Sequence, residues 1–169
     1  MSLIASFDSS PVFETRVAKE LERTRSLRGD GFPAAPGTHK VVRVVTGDMM
    51  DIRAPGSGVV RIRIDCIDAP ERGQSYWLES RRHLARLIDG RFVTVELSDS
   101  DVYDLPVASI VSTEGSDIAR RMIEDGFAWG SQSWGCGADY DSLEQRAQSD
   151  QRGLWQGLNP VPPWQWRQA

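Results

Sequence analysis

Between Glu14 and Arg28, the residues Val17, Leu21, Thr24 and Leu27 recur at helical spacing among charged positions, which predicts an amphipathic helix. The next stretch, Gly29-Asp-Gly-Phe-Pro-Ala-Ala-Pro-Gly37, concentrates glycine and proline and reads as a linker. Residues 1–38 are therefore expected to form a helix and linker ahead of a domain covering 39–169. From His39 the pattern changes to short β-branched runs, Val41 to Val45, Met49 to Arg53 and Val59 to Ile67. The turn Ala54-Pro-Gly-Ser-Gly58 separates the last two, so a three-stranded meander is predicted.

A helix is expected from about Ser75 to Ile88, with Leu78, Leu84, Leu87 and Ile88 as its apolar stripe and Asp89-Gly90 as its stop. Its arginines, Arg81, Arg82 and Arg86, fall on a solvated face. Two more strands, Arg91 to Leu97 and Val107 to Ser112, flank the acidic turn Ser98-Asp-Ser-Asp-Val-Tyr-Asp104. Asp117 is placed to cap a helix running to Glu124, and Tyr140 to Arg152 reads as a final helix closed by Gly153. The tail Asn159-Pro-Val-Pro-Pro-Trp-Gln-Trp166 carries too much proline for a helix or a central strand, and its tryptophans are expected to pin it to the domain. Together these elements predict an α+β fold, mainly β: a five-stranded OB-like Greek-key barrel with about three packed helices plus the N-terminal helix.

Length bounds this picture at one domain plus an extension, since 169 residues can bury one sizeable core. Apolar residues at 40% and charged residues at 26% are ordinary for a globular chain, and no apolar run approaches the roughly 20 residues of a membrane span. Residues Met1 to Phe7 lack the basic start and apolar stretch of a secretory signal. The net charge of -4 argues against indiscriminate binding to nucleic acid and leaves room for a local basic cleft. Lys19 and Lys40 are the only lysines, so nearly all positive charge is arginine, which pairs with phosphate through two parallel hydrogen bonds. Cys66 and Cys136 lie far apart without Cys-x-x-Cys spacing. A disulfide is permitted but not demanded, and two unpaired, buried small hydrophobes are the expectation.

The candidate chemistry is acidic. Asp48 follows Gly47, Asp68 and Glu71 stand in Ile67-Asp-Ala-Pro-Glu71, and Arg63 lies one strand-length before them. Hairpin pairing would bring Asp48 towards Asp68, making an oxygen-rich corner for a hard cation such as Ca²⁺ with Glu71 just outside. A phosphodiester needs such a cation, a carboxylate to activate water, and guanidinium groups for the developing charge. On composition alone, solvated turn carboxylates are the more common reading.

Val44-Val-Thr-Gly-Asp48, Val60-Arg-Ile-Arg-Ile-Asp-Cys-Ile-Asp-Ala-Pro-Glu71, Gln74-Ser-Tyr-Trp-Leu-Glu79, Glu124-Asp-Gly-Phe-Ala-Trp129, Arg152-Gly-Leu-Trp155 and Pro162-Pro-Trp-Gln-Trp-Arg167 occur in that order. They resemble the successive signature segments of the staphylococcal nuclease (thermonuclease) family, over roughly His39 to Arg167. The resemblance implies that Asp48 and Asp68 are ligands of Ca²⁺, with the Ala69 carbonyl nearby. It implies that Glu71 is the general base or orients water, and that Arg63 grips the phosphate. Tyr103 and Trp134 become the candidate contacts to single-stranded DNA or RNA.

The chain departs from the family pattern in three places. The turn before the second strand reads Thr46-Gly47-Asp48-Met49 and lacks a carboxylate and a threonine of that pattern. Asp101-Val-Tyr-Asp-Leu105 stands where the family reads Asp-x-Tyr-Gly-Arg, so Leu105 replaces a catalytic arginine and Asp104 adds negative charge. The segment after Trp129 keeps no tyrosine to stack on a base, leaving Trp134 as a substitute. Among Arg53, Arg61 and Arg72, close in sequence to the site, Arg72 is the best replacement arginine. Three functional readings follow: a cation-dependent nuclease of reduced rate, a non-catalytic relative binding an anionic ligand, and, from the family's genomic company, a role in exopolysaccharide (succinoglycan) biosynthesis.

Overall fold

The structure is a computed structural model that describes residues 37–53, 58–98, 105–131, 136 and 138–168. The expected N-terminal helix, nearly all of the linker, the turn at 54–57 and the acidic segment 99–104 lie outside the described residues. Five strands close into a barrel in the order β1 (Gly37–Val44), β2 (Met49–Arg53), β3 (Val59–Ile64), β6 (Val107–Ser112) and β5 (Phe92–Leu97), with β5 returning to β1. All neighbours are antiparallel except β3 and β6. This is the OB-like α+β architecture, and β1 begins at Gly37, two residues before the expected domain start.

Alternation sets the core. Met50 and Ile52 on β2, Ile62 and Ile64 on β3, and Val93 and Val95 on β5 point inward and are buried, while Asp51, Arg61 and Arg63 face out. Each buried Ile or Met contributes about 1.5–3 kcal/mol, and a one-residue slip would turn the whole set to solvent, so the register is strongly specified. β1 needs a correction to strict alternation: its pairing with β2 shifts between Val41 and Arg43, and this irregularity lets both Val41 and Val44 face inward.

The run expected as one strand from Val59 to Ile67 breaks at Asp65-Cys66. Cys66 takes a left-handed conformation (φ 67°) and its N–H bonds to the Asp65 carboxylate at 2.8 Å. The chain then leaves the barrel as β4 (Ile67–Asp68), which pairs with β7 (Trp129–Gly130). Four helices accompany the barrel among the described residues: α1 (Trp77–Ile88), α2 (Ile118–Glu124), α3 (Ala138–Ser149) and the single turn α4 (Pro163–Trp166). The inner face of α1 is Ser80, Leu84 and Ile88, with Leu78 and Leu87 only half-buried. Asp117 caps α2 by accepting the Arg120 N–H at 3.1 Å.

The final helix was expected to run to Arg152, but α3 ends at Ser149. Gly153 instead opens a 3₁₀ turn, Gly153–Gln156, where its backbone crosses that of Gly126. Both glycines have positive φ, and a Cβ on either would meet the other segment's carbonyl within 2.3 Å, so only glycine permits the Leu154 N–H to reach the Gly126 carbonyl at 2.8 Å. The proline-rich tail also contains a helix after all, because a proline in the first turn forfeits no intrahelical hydrogen bond.

Cys66 and Cys136 form a disulfide, with Cα atoms 5.5 Å apart, which replaces the expected pair of free thiols. Their separation of 70 residues hid this in the sequence; β4–β7 pairing, extended by the Ser131 N–H to the Cys66 carbonyl at 2.9 Å, brings the two segments together. Reducing the bond, or replacing both cysteines with serine, is expected to lower stability by about 2–4 kcal/mol. Equal denaturant midpoints for oxidised and reduced protein would contradict this.

Candidate functional site

The site forms where the β1–β2 turn, the β4 segment and the C-terminal tail meet. Gly47 lets the turn lie against α1: a Cβ there would sit 1.9 Å from Ser80 Oγ and 2.8 Å from the Ala69 side chain. Ser80 is itself fixed, donating its hydroxyl to the Phe127 carbonyl at 2.6 Å. The turn therefore presents Asp48 inward at 5% exposure, with the Asp48 carbonyl accepting from the Ile64 N–H at 2.8 Å. Thr46, in the same turn, donates its hydroxyl to Asp48 Oδ1 at 2.7 Å and orients it.

Asp68, also 5% exposed, is held on β4 opposite Trp129. Arg63 lies between the two aspartates, its Nη2 3.0 Å from Asp48 Oδ2 and 3.0 Å from Asp68 Oδ1. Glu71 stands at the rim, a third exposed, in a loop stapled by Gln74: the Glu71 N–H donates to Gln74 Oε1 at 2.9 Å and the Gln74 N–H returns to the Glu71 carbonyl at 2.9 Å. Asp48, Arg63, Asp68, Ala69 and Glu71 are thus brought together. Burial raises the pKa of Asp48 above the usual carboxylate range; Arg63 and the Thr46 hydroxyl oppose that rise, while Asp68 and Glu71 add to it.

Sequence reasoning missed one participant. Arg167, just after α4, donates Nη2 to Asp68 Oδ2 at 2.7 Å and Nη1 to Asp68 Oδ1 at 3.2 Å and to Glu71 Oε1 at 2.5 Å. The hydrogen bond to Asp68 is the chief cause holding its pKa above the ordinary arginine value, so it is a permanent cation. Its signal was present as the last residue of Pro162-Pro-Trp-Gln-Trp-Arg167, but nothing local tells that position 167 returns to position 68. Arg72 is exposed and makes no ion pair with these carboxylates among the described residues. Arg61 is committed to Asp51 at 2.8 Å. The tail is not pinned by its tryptophans, since Trp164 and Trp166 are exposed; buried Pro163, the Arg167 ion pairs and a Gln74 side-chain bond to the Val161 carbonyl hold it. Tyr103, Asp104 and Trp134 lie outside the described residues.

Residues 61–157 match the family described as staphylococcal nuclease homologue. The chain belongs to the staphylococcal nuclease family. An uncharacterized endonuclease of Escherichia coli is 34% identical over 128 residues, covering 76% of this chain and 83% of its own length. A micrococcal nuclease of Shigella flexneri is 30% identical over 140 residues, with 77% and 80% covered. A probable staphylococcal-like nuclease of Oryza sativa subsp. japonica is 31% identical over 150 residues, with 86% and 45% covered. In this staphylococcal nuclease homologue Arg63, Asp68 and Glu71 fall inside the family match, whereas Asp48 and Arg167 reach the same centre from outside it.

Beside the centre lies a groove of about 260 Å³ lined by Gln74, Tyr76, Trp129, Leu154, Val161 and Trp166 among others. It shares Gln74 with the Glu71 loop and Trp166 with the segment carrying Arg167. Among the described residues, the three side chains of metal-ligating type that lie within 4.8 Å of one another are Asp65, Cys66 and Cys136, whose sulfurs are spent in the disulfide; Asp48, Asp68 and Glu71, spread by two guanidinium groups, are not that tight. No helix of the described residues is long and apolar enough to cross a membrane.

Since Gly47 leaves no room for a side chain, Gly47→Ala is expected to lower stability by about 1–3 kcal/mol and to displace Asp48 from Arg63. Thermal denaturation and a structure of the variant test both, and an unchanged melting temperature would show that the turn is not packed as described.

Proposed function

We propose that this domain is a cation-dependent phosphodiesterase that hydrolyses single-stranded DNA or RNA at the Asp48–Asp68–Glu71 centre. The observation that carries the reading is that buried carboxylates from two separate segments converge on one guanidinium nitrogen, Arg63 Nη2, at 3.0 Å each. Family membership supports a nuclease-type activity, and the residues fit a hard divalent ion such as Ca²⁺. Asp48 and Asp68 are buried oxygen donors, and with Glu71 they set three carboxylates against the two guanidinium groups of Arg63 and Arg167. Asp48, Asp68 and the Ala69 carbonyl would hold the ion, which when bound supplies charge neutralisation for a phosphodiester.

The protein's own groups would do the rest. Glu71, a third exposed and stapled by Gln74, is positioned to take a proton from an attacking water or to orient it. Arg63, on the outward face of β3 and 12% exposed, donates to the equatorial phosphate oxygens from a site screened from solvent, where a guanidinium acts most strongly. Tyr76, Trp129 and Trp166 give the neighbouring groove aromatic walls on which a nucleobase can stack. The disulfide suits an oxidising compartment.

Leu105 favours a second reading, a degenerate nuclease that only binds its ligand, because leucine can neither donate a hydrogen bond nor carry charge. Purified protein is expected to cut single-stranded DNA or RNA with Ca²⁺, to stop on chelation, and to lose about 10²–10⁴-fold in rate on Glu71→Gln. Binding of the oligonucleotide without cleavage would support the second reading instead. Cleavage untouched by chelator and by Glu71→Gln would sink the proposed site, and turnover of an acidic polysaccharide but not of nucleic acid would redirect the substrate class.

A further inference from the structure

We infer that Arg167 is the second phosphate-gripping guanidinium of the site, delivered by the C-terminal segment. This rests on the nuclease reading above and names a residue for its missing charge. A phosphodiester reacting beside three carboxylates needs more than Arg63, which is already shared between Asp48 and Asp68. Position 105, next to the Pro106 carbonyl that pairs with β3, carries the apolar side chain of leucine. Arg167 fills the deficit from a different direction: it meets Asp68 and Glu71 at once, so it stands over the carboxylates that would flank the reacting phosphate.

Two features distinguish Arg167 from a simple staple. Its side chain is 33% exposed against 12% for Arg63, so an incoming phosphate can reach it. Its two outer nitrogens hold Asp68 and Glu71 in a fork, the geometry with which arginine holds carboxylate and phosphate alike, so the same fork can exchange one anion for the other by side-chain rotation. The backbone that presents it is anchored independently, by buried Pro163 and by the Gln74 bond to the Val161 carbonyl.

The test compares wild type, Arg167→Gln and the double variant Arg167→Gln with Leu105→Arg, all as the full chain. Leu105 precedes the Pro106 carbonyl that accepts from Arg63 N–H at 2.9 Å, so an arginine at 105 would start beside Arg63 and could replace the lost charge. Cleavage of single-stranded DNA with Ca²⁺ is expected to fall about 10²–10³-fold in Arg167→Gln and to recover at least in part in the double variant. Binding of a single-stranded oligonucleotide in chelator is expected to lose about 0.7–1 from the slope of log affinity against log salt in Arg167→Gln. An unchanged slope, or no recovery in the double variant, would make Arg167 an anchor for the tail and overturn the assignment. Faster cleavage by Arg167→Gln would overturn it too, making Arg167 a plug. If wild type binds with the steeper slope yet never cuts, the nuclease reading fails while the phosphate contact of Arg167 stands.

Discussion

Carboxylates cannot be gathered out of water without positive charge among them, and the end of this barrel is organised by that constraint. Asp48 and Asp68 are each 5% exposed, and removing an ionised carboxylate from water costs several kcal/mol unless it is paired and hydrogen-bonded. Arg63 bridges them at 3.0 Å on each side, and Arg167 closes the outer side by reaching both Asp68 and Glu71. The Asp48 pKa is still raised, so the pairing offsets the burial only in part.

The barrel supplies the rigidity that such pairing needs. Asp48 is aimed by a turn that only glycine at position 47 lets pack on Ser80, and Asp68 by a two-residue strand that leaves the barrel to pair with β7. The disulfide ties that same strand's approach to the segment ahead of α3. Trp155 packs edge-on against Trp129 with ring centroids 5.5 Å apart, which fixes the strand opposite Asp68 from behind. Each carboxylate is thus held by an element that is itself fixed by a contact distant in sequence, the condition for a preorganised site.

The C-terminal segment is the part of the domain whose role changed most between sequence and structure. Read locally, it is a proline-rich tail with two tryptophans to bury. Folded, it exposes both tryptophans, buries Pro163 and delivers a charge to the acidic centre. Trp166 then lines the groove beside that centre, so one short segment contributes both an aromatic wall and a cation.

The sequence by itself determined the barrel, because short β-branched runs separated by Gly, Pro and acidic turns mark nearly every strand, with inward and outward residues alternating on β3 and β5. It also named the residues of the acidic centre, because Gly47-Asp48 and Ile67-Asp-Ala-Pro-Glu71 are short motifs that put carboxylates at strand ends, while the contacts that hold them in place are distant in sequence. Only the tertiary structure decided the break at Cys66, the Cys66–Cys136 bond, the end of α3 at Ser149 and the arrival of Arg167. These depend on contacts between residues 27 to 99 positions apart, such as Gly126 with Gly153 and Asp68 with Arg167, which leave no periodicity in the chain and come into being only when the barrel has closed.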